Sequence, residues 1–340
     1  MSRPHISILL PVRNGSRTLR RAVESCLAQT FRDFELLLVN DASTDETPEL
    51  VRSFAAADPR VVPLKASGGL ISALQTAHEA ARAPLLARMD ADDFAYPDRL
   101  SEQAAFLEKN QDVAACGTQV RILGSGHGET PREGFSRYES WINALTAPEE
   151  ISRERFVESP LVHPSVMMQR EAFEACGGYR DPGWAEDYDL WLRMLEKGMR
   201  LAKVERVLLD WSDGPDRLTR TDGRYSLLQF MRAKAHFLGR MSAVRSRGVI
   251  IAGAGPTGKQ LAALLREENV TVHAFIEVHP RRIGKKIAGI PVWEEARVGE
   301  AGALLPVALS AVGQPGRRQT IREFFAGRGY IEGENFFCFA

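Results

Sequence analysis

The sequence predicts an α/β fold built in two consecutive parts. Short apolar runs alternate with helical segments over residues 6–89, and the same alternation resumes after residue 245. Strands that alternate with helices indicate parallel sheets with right-handed crossover connections. A chain of 340 residues is long enough for two domains, and its 44% content of hydrophobic residues is ample for their cores.

The first part is predicted to contain strands separated by helices. Each strand is a short apolar run, and each helix carries apolar residues three or four positions apart. The predicted strands cover residues 6–12, 34–39, 61–64 and 84–89, and the predicted helices cover residues 16–29, 46–57 and 68–82.

Polar residues stand where these strands end. Residues 13–15 follow the first strand, Asp41 follows the second, and Asp90, Asp92 and Asp93 follow the fourth. Open α/β sheets bind ligands at the carboxyl ends of their strands. Carboxylates this close repel one another, and a hard divalent cation with oxygen ligands relieves that repulsion. The pattern predicts a nucleotide held through a cation, and an acidic surface turn is the alternative.

Four blocks in this order resemble the signature blocks of family 2 inverting glycosyltransferases, which have the GT-A fold. The resemblance covers residues 5–220 and implies a nucleotide-diphospho-sugar transferase domain over residues 1–222. Two departures, Arg13 in place of a frequent tyrosine and Asn40 in place of a frequent acid, bear on donor preference more than on activity. The four blocks are residues 11–14, 40–45, 89–100 and 186–193.

The resemblance assigns donor-binding roles to four positions. Pro11 and Arg13 would line the base pocket, largely through backbone atoms. Asp41 would accept a hydrogen bond from the imide of the base, and Asp90 would lie near the ribose. The donor implied is a nucleoside-diphosphate sugar.

The resemblance also assigns the chemistry. Asp92, supported by Asp93, would bind Mg²⁺ or Mn²⁺ at the diphosphate, where a cation neutralises the departing group. Asp187 would be the general base that takes the proton of the acceptor hydroxyl, and one displacement implies inversion. Glu186 and Asp187 also suit a helix start, where acids complement the helix dipole, and both interpretations can hold together.

Two further residues near these blocks have open interpretations. His163 precedes an apolar run and could contact the acceptor or a phosphate, although a lone histidine is more often structural. Trp191 follows helical spacing with its apolar neighbours and is predicted to lie in the core. The sequence has no Gln-x-x-Arg-Trp block of the kind processive synthases carry, which favours transfer of one sugar per encounter.

The second predicted domain covers residues 246–340 and begins with a strand, a glycine turn and a helix. Gly253, Gly255 and Gly258 form a G-x-G-x-x-G pattern in that context, and Glu277 lies about 20 residues on, where an acid would bind a ribose hydroxyl. This part is similar to the small Rossmann-like nucleotide-sugar-binding domain of sialic-acid-type acetyltransferases. A structural module whose glycines serve only the turn is the alternative. Later strands are predicted over residues 271–276, 290–293, 306–311 and 335–339, with a helix over 316–327.

Residues 223–245 are predicted to link the two domains. Residues 224–241 form a basic amphipathic helix, with Arg232, Lys234 and Arg240 around its apolar face. Such a helix could lie on a membrane surface. Bridging two domains through its apolar face is the commoner outcome.

The composition argues against nucleic-acid-binding, disulfide-rich and membrane-spanning proteins. The formal net charge is zero, from 44 acidic and 44 basic residues, so nothing indicates a nucleic-acid partner. Four scattered cysteines indicate reduced thiols, and no signal peptide or apolar run of membrane-spanning length is apparent. We expect a cytoplasmic protein, with peripheral contact at the inner face of the membrane as an extension of that expectation.

The sequence therefore predicts a metal-dependent inverting glycosyltransferase. It would transfer a single sugar, from a UDP-sugar, to a hydroxyl of a glycan, a lipid-linked intermediate or a small molecule in glycan or cell-surface polysaccharide biosynthesis. One alternative is an oxidoreductase that modifies nucleotide sugars through the second domain. Another is a scaffold that binds nucleotide sugars without catalysis.

Overall fold

The structure is a computed structural model that describes residues 3–124, 133–214, 218–299, 305–314 and 316–339. The chain forms two compact units. Unit 1 comprises Met1–Ile151 and Pro160–Thr221, and unit 2 comprises Ser152–Ser159 and Asp222–Ala340. The segment Ser152–Ser159 thus interrupts unit 1 along the chain and belongs to unit 2, which no sequence pattern indicates.

Unit 1 is a mixed sheet with helices. Within the described residues its strands are β1 (Ile6–Val12), β2 (Phe34–Asp41), β3 (Val61–Ala66), β4 (Leu85–Arg88), β5 (Phe94–Ala95), β6 (Val113–Leu123), β7 (Met167–Gln169) and β8 (Arg200–Ser212). Its helices are α1 (Leu19–Leu27), α2 (Thr47–Ala57), α3 (Leu70–Ala80), α4 (Arg99–Lys109), α5 (Glu133–Ala144), α6 (Pro148–Glu154, which continues into unit 2), α7 (Arg170–Ala175), α8 (Glu186–Glu196) and α9 (Leu218–Thr221).

The strand order in unit 1 is β3-β2-β1-β4-β7-β6-β8-β5. The first four strands are parallel, as the sequence predicts, and Ile6 pairs with both Phe34 and Leu85. The neighbouring β7 is antiparallel to both β4 and β6. The carboxyl ends of β1, β2 and β4 therefore meet at one edge, with β8 further along the same sheet.

Both faces of this sheet are covered by apolar packing. Alternate residues of β1 separate into two clusters, with Ile8 and Leu10 in one and Leu9 in the other. The prediction that Trp191 lies in the core is confirmed, because its side chain is fully buried. This packing on both sides explains why the central strands are almost continuously apolar.

Unit 2 contains a second α/β sheet, in the order β11-β12-β10-β9-β13-β14, which is parallel except for β11. The strands and helices predicted after residue 245 are confirmed. In the described part of the chain the strands of unit 2 are β9 (Val249–Ala252), β10 (Val272–Ile276), β11 (Lys286–Ile287), β12 (Ile290–Trp293), β13 (Val307–Ser310) and β14 (Phe336–Cys338), and its helices are α10 (Leu227–Arg240), α11 (Ser242–Arg247), α12 (Pro256–Glu267) and α13 (Arg317–Ala326). The sequence does not predict β11 or α11.

The basic amphipathic helix is α10, which belongs to unit 2 and packs against α12. Met231, Ala235 and Leu238 on its apolar face are buried, whereas the side chain of Leu227 at its start is 75% exposed. No helix in the described ranges combines the length and the apolar character needed to cross a bilayer.

The segment Ser152–Ser159 is held in unit 2 by charge and by aromatic packing. Glu154 is buried and forms an ion pair with Arg322. The Phe156 ring meets Phe337 edge-on with 5.6 Å between the ring centroids. A buried carboxylate needs such a partner because desolvation of an unpaired charge is costly.

Candidate active site

Two loops of unit 1 are joined by hydrogen bonds at the carboxyl edge of the sheet. The backbone N–H of Asn14, after β1, donates to Ser43 Oγ at 2.9 Å, and the N–H of Thr44, after β2, donates to Asn14 Oδ1 at 2.8 Å. Asn14 and Ala42 have positive φ values of 52° and 48°. Non-glycine residues rarely adopt that conformation, and strain of this kind concentrates at functional sites.

A second set of bonds joins the same loops around Asp45. The carboxylate accepts from the N–H groups of Ser16 and Thr47 at 3.0 Å each, and Thr47 Oγ1 accepts from the N–H of Gly15 at 2.9 Å. Burial would raise the pKa of Asp45, but the bonds from Thr47 and Ser16 outweigh it and hold that pKa well below its usual range. The two loops are thus fixed before any ligand arrives.

The residues predicted to face the base lie at this edge. Pro11 of β1 pairs with Val39 of β2, and Arg13 follows β1 with an exposed side chain. Asp41 at the end of β2 is buried, and its Oδ1 accepts from the N–H of Gly69 at 3.1 Å. Gly69 begins the turn into α3 with a φ of +83°, which suits glycine.

The acidic cluster after β4 has the geometry of a cation site. Oxygen atoms of Asp90, Asp92 and Asp93 lie within 4.8 Å of one another. The end of β8 supports them, because Asp93 Oδ1 accepts from the N–H of Ser212 at 2.8 Å and the carbonyl of Asp92 accepts from Ser212 Oγ at 2.7 Å. Three carboxylates match the oxygen ligands that hard cations prefer. Ser212 carries no sequence signal for this role.

A buried arginine adjoins the cluster. Arg88, at the end of β4, is 1% exposed, and its Nη2 donates to Asp90 Oδ1 at 2.5 Å. Burial would lower the pKa of Arg88, but Asp90 and neighbouring acidic groups outweigh it and raise that pKa, so the guanidinium stays charged. This positive charge fixes one oxygen of Asp90 and limits the repulsion among the aspartates.

Asp187 is the second residue of α8, and Glu186 is the first. Burial, the neighbouring Glu186 and, more weakly, Asp90 raise the pKa of Asp187, although the N–H of Tyr188 donates to its Oδ1 at 2.7 Å. A carboxyl group with a raised pKa in a ligand-binding region suits proton transfer.

The glycine turn of unit 2 is explained largely by sterics. A Cβ atom on Gly258 would lie 1.9 Å from the carbonyl oxygen of Gly253, and Gly253 itself has a φ of +100°. A Cβ atom on Gly255 would meet nothing within 4 Å. Gly253 and Gly258 are thus required by the turn, whereas Gly255 borders open space at the start of α12.

Glu277, at the end of β10, is engaged by its own loop. Its Oε1 accepts from the N–H groups of Val278 and His279 at 3.1 and 3.4 Å, and its Oε2 accepts from Arg282 Nη1 at 2.8 Å. Burial opposes ionisation, yet the bonds from Arg282, His279 and Val278 prevail and lower the pKa of Glu277. The carboxylate has a local structural role, and its role toward a ribose stays a prediction.

Two solved structures have a fold similar to that of this chain. Residues 1–349 of S. aureus TarS, in complex with UDP-GlcNAc, match with a TM-score of 0.53 and 16% identity over 78% of this chain and 72% of that one. The mannosyltransferase PcManGT from Pyrobaculum calidifontis, in complex with GDP-Man and Mn²⁺, matches with a TM-score of 0.51 and 20% identity over 79% and 70%. The fold of the chain is therefore that of the GT-A glycosyltransferases.

The family follows from sequence. The model of "Glycosyl transferase family 2" matches residues 7–177. "Putative glycosyltransferase EpsE" of Bacillus subtilis (strain 168) is 30% identical over 232 residues, which cover 66% of this chain and 79% of EpsE. The chain belongs to glycosyl transferase family 2. The predicted fold class, GT-A followed by a further α/β region, and the predicted enzyme class are confirmed, and nothing supports the alternative of an oxidoreductase.

Proposed function

We propose that unit 1 transfers a single sugar from a UDP-sugar to an acceptor hydroxyl, with inversion at the anomeric carbon. The observation that carries the proposal is the convergence of Asp41 and the Asp90–Asp93 cluster at the carboxyl ends of strands in one sheet. The buried Asp187, whose pKa is raised, would complete the site. Asp41 can accept a hydrogen bond from the nucleobase, the acidic cluster can bind a cation, and Asp187 can accept a proton.

Donor binding would use the two joined loops. The backbone around Pro11 and Arg13 and the carboxylate of Asp41 would contact the base, since a carboxylate accepts the imide N–H of uracil. Asp90, oriented by Arg88, would face the ribose hydroxyls. Because the loops are already fixed by Asp45 and Asn14, little conformational entropy would be lost on binding.

Asp92 and Asp93 would hold Mg²⁺ or Mn²⁺ against the diphosphate. The proximity of the carboxylate oxygens fits a cation with oxygen ligands, and Asp93 is fixed by Ser212. When bound, the cation would stabilise the negative charge of the departing nucleoside diphosphate.

Asp187 would take the proton from the acceptor hydroxyl. Its raised pKa makes it a stronger base than an exposed aspartate, and a base is most effective with a pKa near the working pH. The acceptor would be a glycan, a lipid-linked intermediate or a small molecule in cell-surface polysaccharide biosynthesis. The reaction would take place in the cytoplasm, and extension of the proposal to the membrane face rests on the exposed Leu227 and Leu228.

A thermal-shift experiment with the full chain tests donor and metal binding together. UDP at 100 times its Kd should stabilise the protein by about 2.7 kcal/mol, or on the order of 5–10 °C, when Mn²⁺ is present. The shift should be far smaller in EDTA. Asp92→Asn should remove the difference between Mn²⁺ and EDTA, because one anionic ligand is lost.

Asp33→Asn is the matched control, since Asp33 is an exposed aspartate away from the acidic cluster in the sequence. It should keep the full metal-dependent shift. Equal stabilisation by UDP in Mn²⁺ and in EDTA would show that Asp92 does not link a cation to the diphosphate.

A further inference from the structure

Three buried side chains of unit 1, those of His163, Tyr179 and Glu186, lie together at the start of α8. His163 lies in the 3-10 turn His163–Ser165, and Tyr179 follows a turn of two glycines. His163 Nε2 lies 2.8 Å from the Tyr179 hydroxyl, and His163 Nδ1 lies 3.7 Å from Oε1 of Glu186. Their exposed fractions are only 8%, 3% and 1% in the order His163, Tyr179 and Glu186. Water therefore competes little for these contacts.

The proton of His163 has one favourable position. Burial and the guanidinium of Arg88 hold the pKa of His163 well below its ordinary value, so the imidazole is neutral and carries one N–H. A proton on Nδ1 faces the Glu186 carboxylate and leaves Nε2 to accept from Tyr179. A proton on Nε2 would leave an unprotonated nitrogen facing that carboxylate. The charged and titratable groups around this contact are Arg88 and Asp90 at the end of β4, Tyr179, and Glu186 and Asp187 of α8.

A second connection ties α8 to the turn that carries Tyr179. Arg193 of α8 donates through Nη2 to the carbonyl of Gly178 at 2.7 Å and through Nη1 to the carbonyl of Cys176. Its Nε is held by Asp189 at 2.7 Å. Helix α8 is thus connected to this turn at two places, at its first residue through His163 and in its last turn through Arg193.

We propose that His163 is a positioning residue: as the Nδ1–H tautomer, oriented by the Tyr179 hydroxyl, it holds the Glu186 carboxylate and so fixes the start of α8, from which Asp187 acts. Its kinetic consequence rests on the proposed role of Asp187 as base. The tautomer does not depend on that role.

The tautomer can be measured without any substrate. In the full chain labelled with ¹⁵N-histidine, two-bond ¹H–¹⁵N correlation spectra distinguish the Nδ1–H form, the Nε2–H form and the cation. We expect the His163 signal, identified by its loss in His163→Gln, to show the Nδ1–H form unchanged between about pH 5.5 and pH 8, a range that spans the usual histidine pKa. An Nε2–H form, or titration near the usual histidine pKa, would overturn the proposal.

Substitutions that imitate one nitrogen each test the kinetic role. The amide of His163→Asn lies near the position of Nδ1 and can still donate toward Glu186, whereas the amide of His163→Gln lies near Nε2. We expect kcat to fall by up to about 10²-fold in His163→Gln and clearly less in His163→Asn, with the donor KM nearly unchanged. Equal or greater activity in His163→Gln would contradict the proposal.

Tyr179→Phe provides the mildest variant, because it removes only the hydroxyl. The Nδ1–H form should persist because Glu186 still faces Nδ1, but the ring loses the partner that orients Nε2. The His163 signals should therefore shift, and kcat should fall while the donor KM is retained. Tyr330→Phe in unit 2 is the matched control: its buried hydroxyl has no hydrogen-bond partner in the described part of the chain, so kcat should not change. Wild-type kcat and an unaltered His163 spectrum in Tyr179→Phe would refute the orienting role of the tyrosine.

Failure of this inference differs from failure of the proposed function. If Asp187→Asn keeps its activity, Asp187 is not the base, while the spectra still decide the state of His163. If Asp187→Asn is inactive but the variants of His163 and Tyr179 are as active as wild type, His163 is not a positioning residue, and Asp187 is still assigned as the base.

Discussion

The two units use the same architecture at the carboxyl ends of parallel strands, yet they treat acidic residues there in opposite ways. In unit 1, Asp90, Asp92 and Asp93 stand together, and the pKa of Asp187 is raised by burial and by Glu186. In unit 2, Glu277 is paired with Arg282, and its pKa is lowered.

The acids of unit 1 are arranged to bind a cation and to accept a proton, whereas Glu277 of unit 2 stabilises its own loop. Among the residues that the structure describes, the acidic cluster of unit 1 is the one group of three side chains with metal-binding geometry. The glycine turn of unit 2 offers N–H groups at a helix start, which suits a phosphate, but Glu277, the acid predicted to act there, is engaged by Arg282 and by its own loop. We therefore propose that unit 2 binds a nucleotide or docks a partner and does no chemistry.

The largest effect should come from Asp187. Asp187→Asn keeps the size of the side chain and removes the proton acceptor, so kcat should fall by roughly 10²–10⁴-fold with the donor KM little changed. Steady-state kinetics with the donor that gives the largest metal-dependent thermal shift measures this. The control is Glu171→Gln, which neutralises an acid in the first turn of α7. Near-normal transfer by Asp187→Asn would mean that Asp187 is not the general base and serves only at the start of the helix.

The glycines of unit 2 should divide into two classes. Gly258→Ala forces a methyl group against the carbonyl oxygen of Gly253, and such overpacking costs about 1–3 kcal/mol or more. Gly255→Ala meets open space and should leave the free energy of unfolding within about 0.5 kcal/mol of wild type. Urea denaturation measures both.

Gly255 can also be tested for a role in nucleotide binding. If unit 2 binds a phosphate, Gly255→Val should abolish that binding without unfolding, because the side chain would occupy the space next to the helix start. Destabilisation by Gly255→Ala as large as that by Gly258→Ala would show that all three glycines serve the turn.

Local sequence features predict much of the fold and of the candidate site. Contacts between residues that are distant along the chain could not be predicted. The strands, and the acids that follow them, could be predicted because apolar runs and strand ends are local features. The contacts of Asp93 with Ser212 and of Asp41 with Gly69 could not, since they join residues 119 and 28 positions apart. The antiparallel β7 and the transfer of Ser152–Ser159 to unit 2 likewise depend on tertiary packing.

A smaller effect concerns the stability cost of the proposed base. A carboxyl group whose pKa is raised on folding destabilises the native state once pH exceeds its ordinary value of 3.8. Asp187→Asn removes that cost and should raise the free energy of unfolding at pH 7 by at least about 1 kcal/mol, or about 2–4 °C. The gain should disappear in melts below about pH 3.5, where wild-type Asp187 is protonated in both states. A loss of stability at pH 7 would mean that the charge of Asp187 is stabilised in the folded protein.

The smallest effect, of opposite sign, should come from Glu277. Its pKa is lowered from an ordinary value of 4.5, so its ionised form stabilises the folded state above that pH, and the contribution is lost as pH falls through the lowered pKa. Glu277→Gln should cost up to about 1 kcal/mol at pH 7, because the partner Arg282 is half-exposed and water screens the pair. The cost should vanish in acid. A gain at pH 7, like that expected for Asp187→Asn, would mean that the charge of Glu277 is destabilised in the folded protein, and unit 2 would then be a second candidate for catalysis.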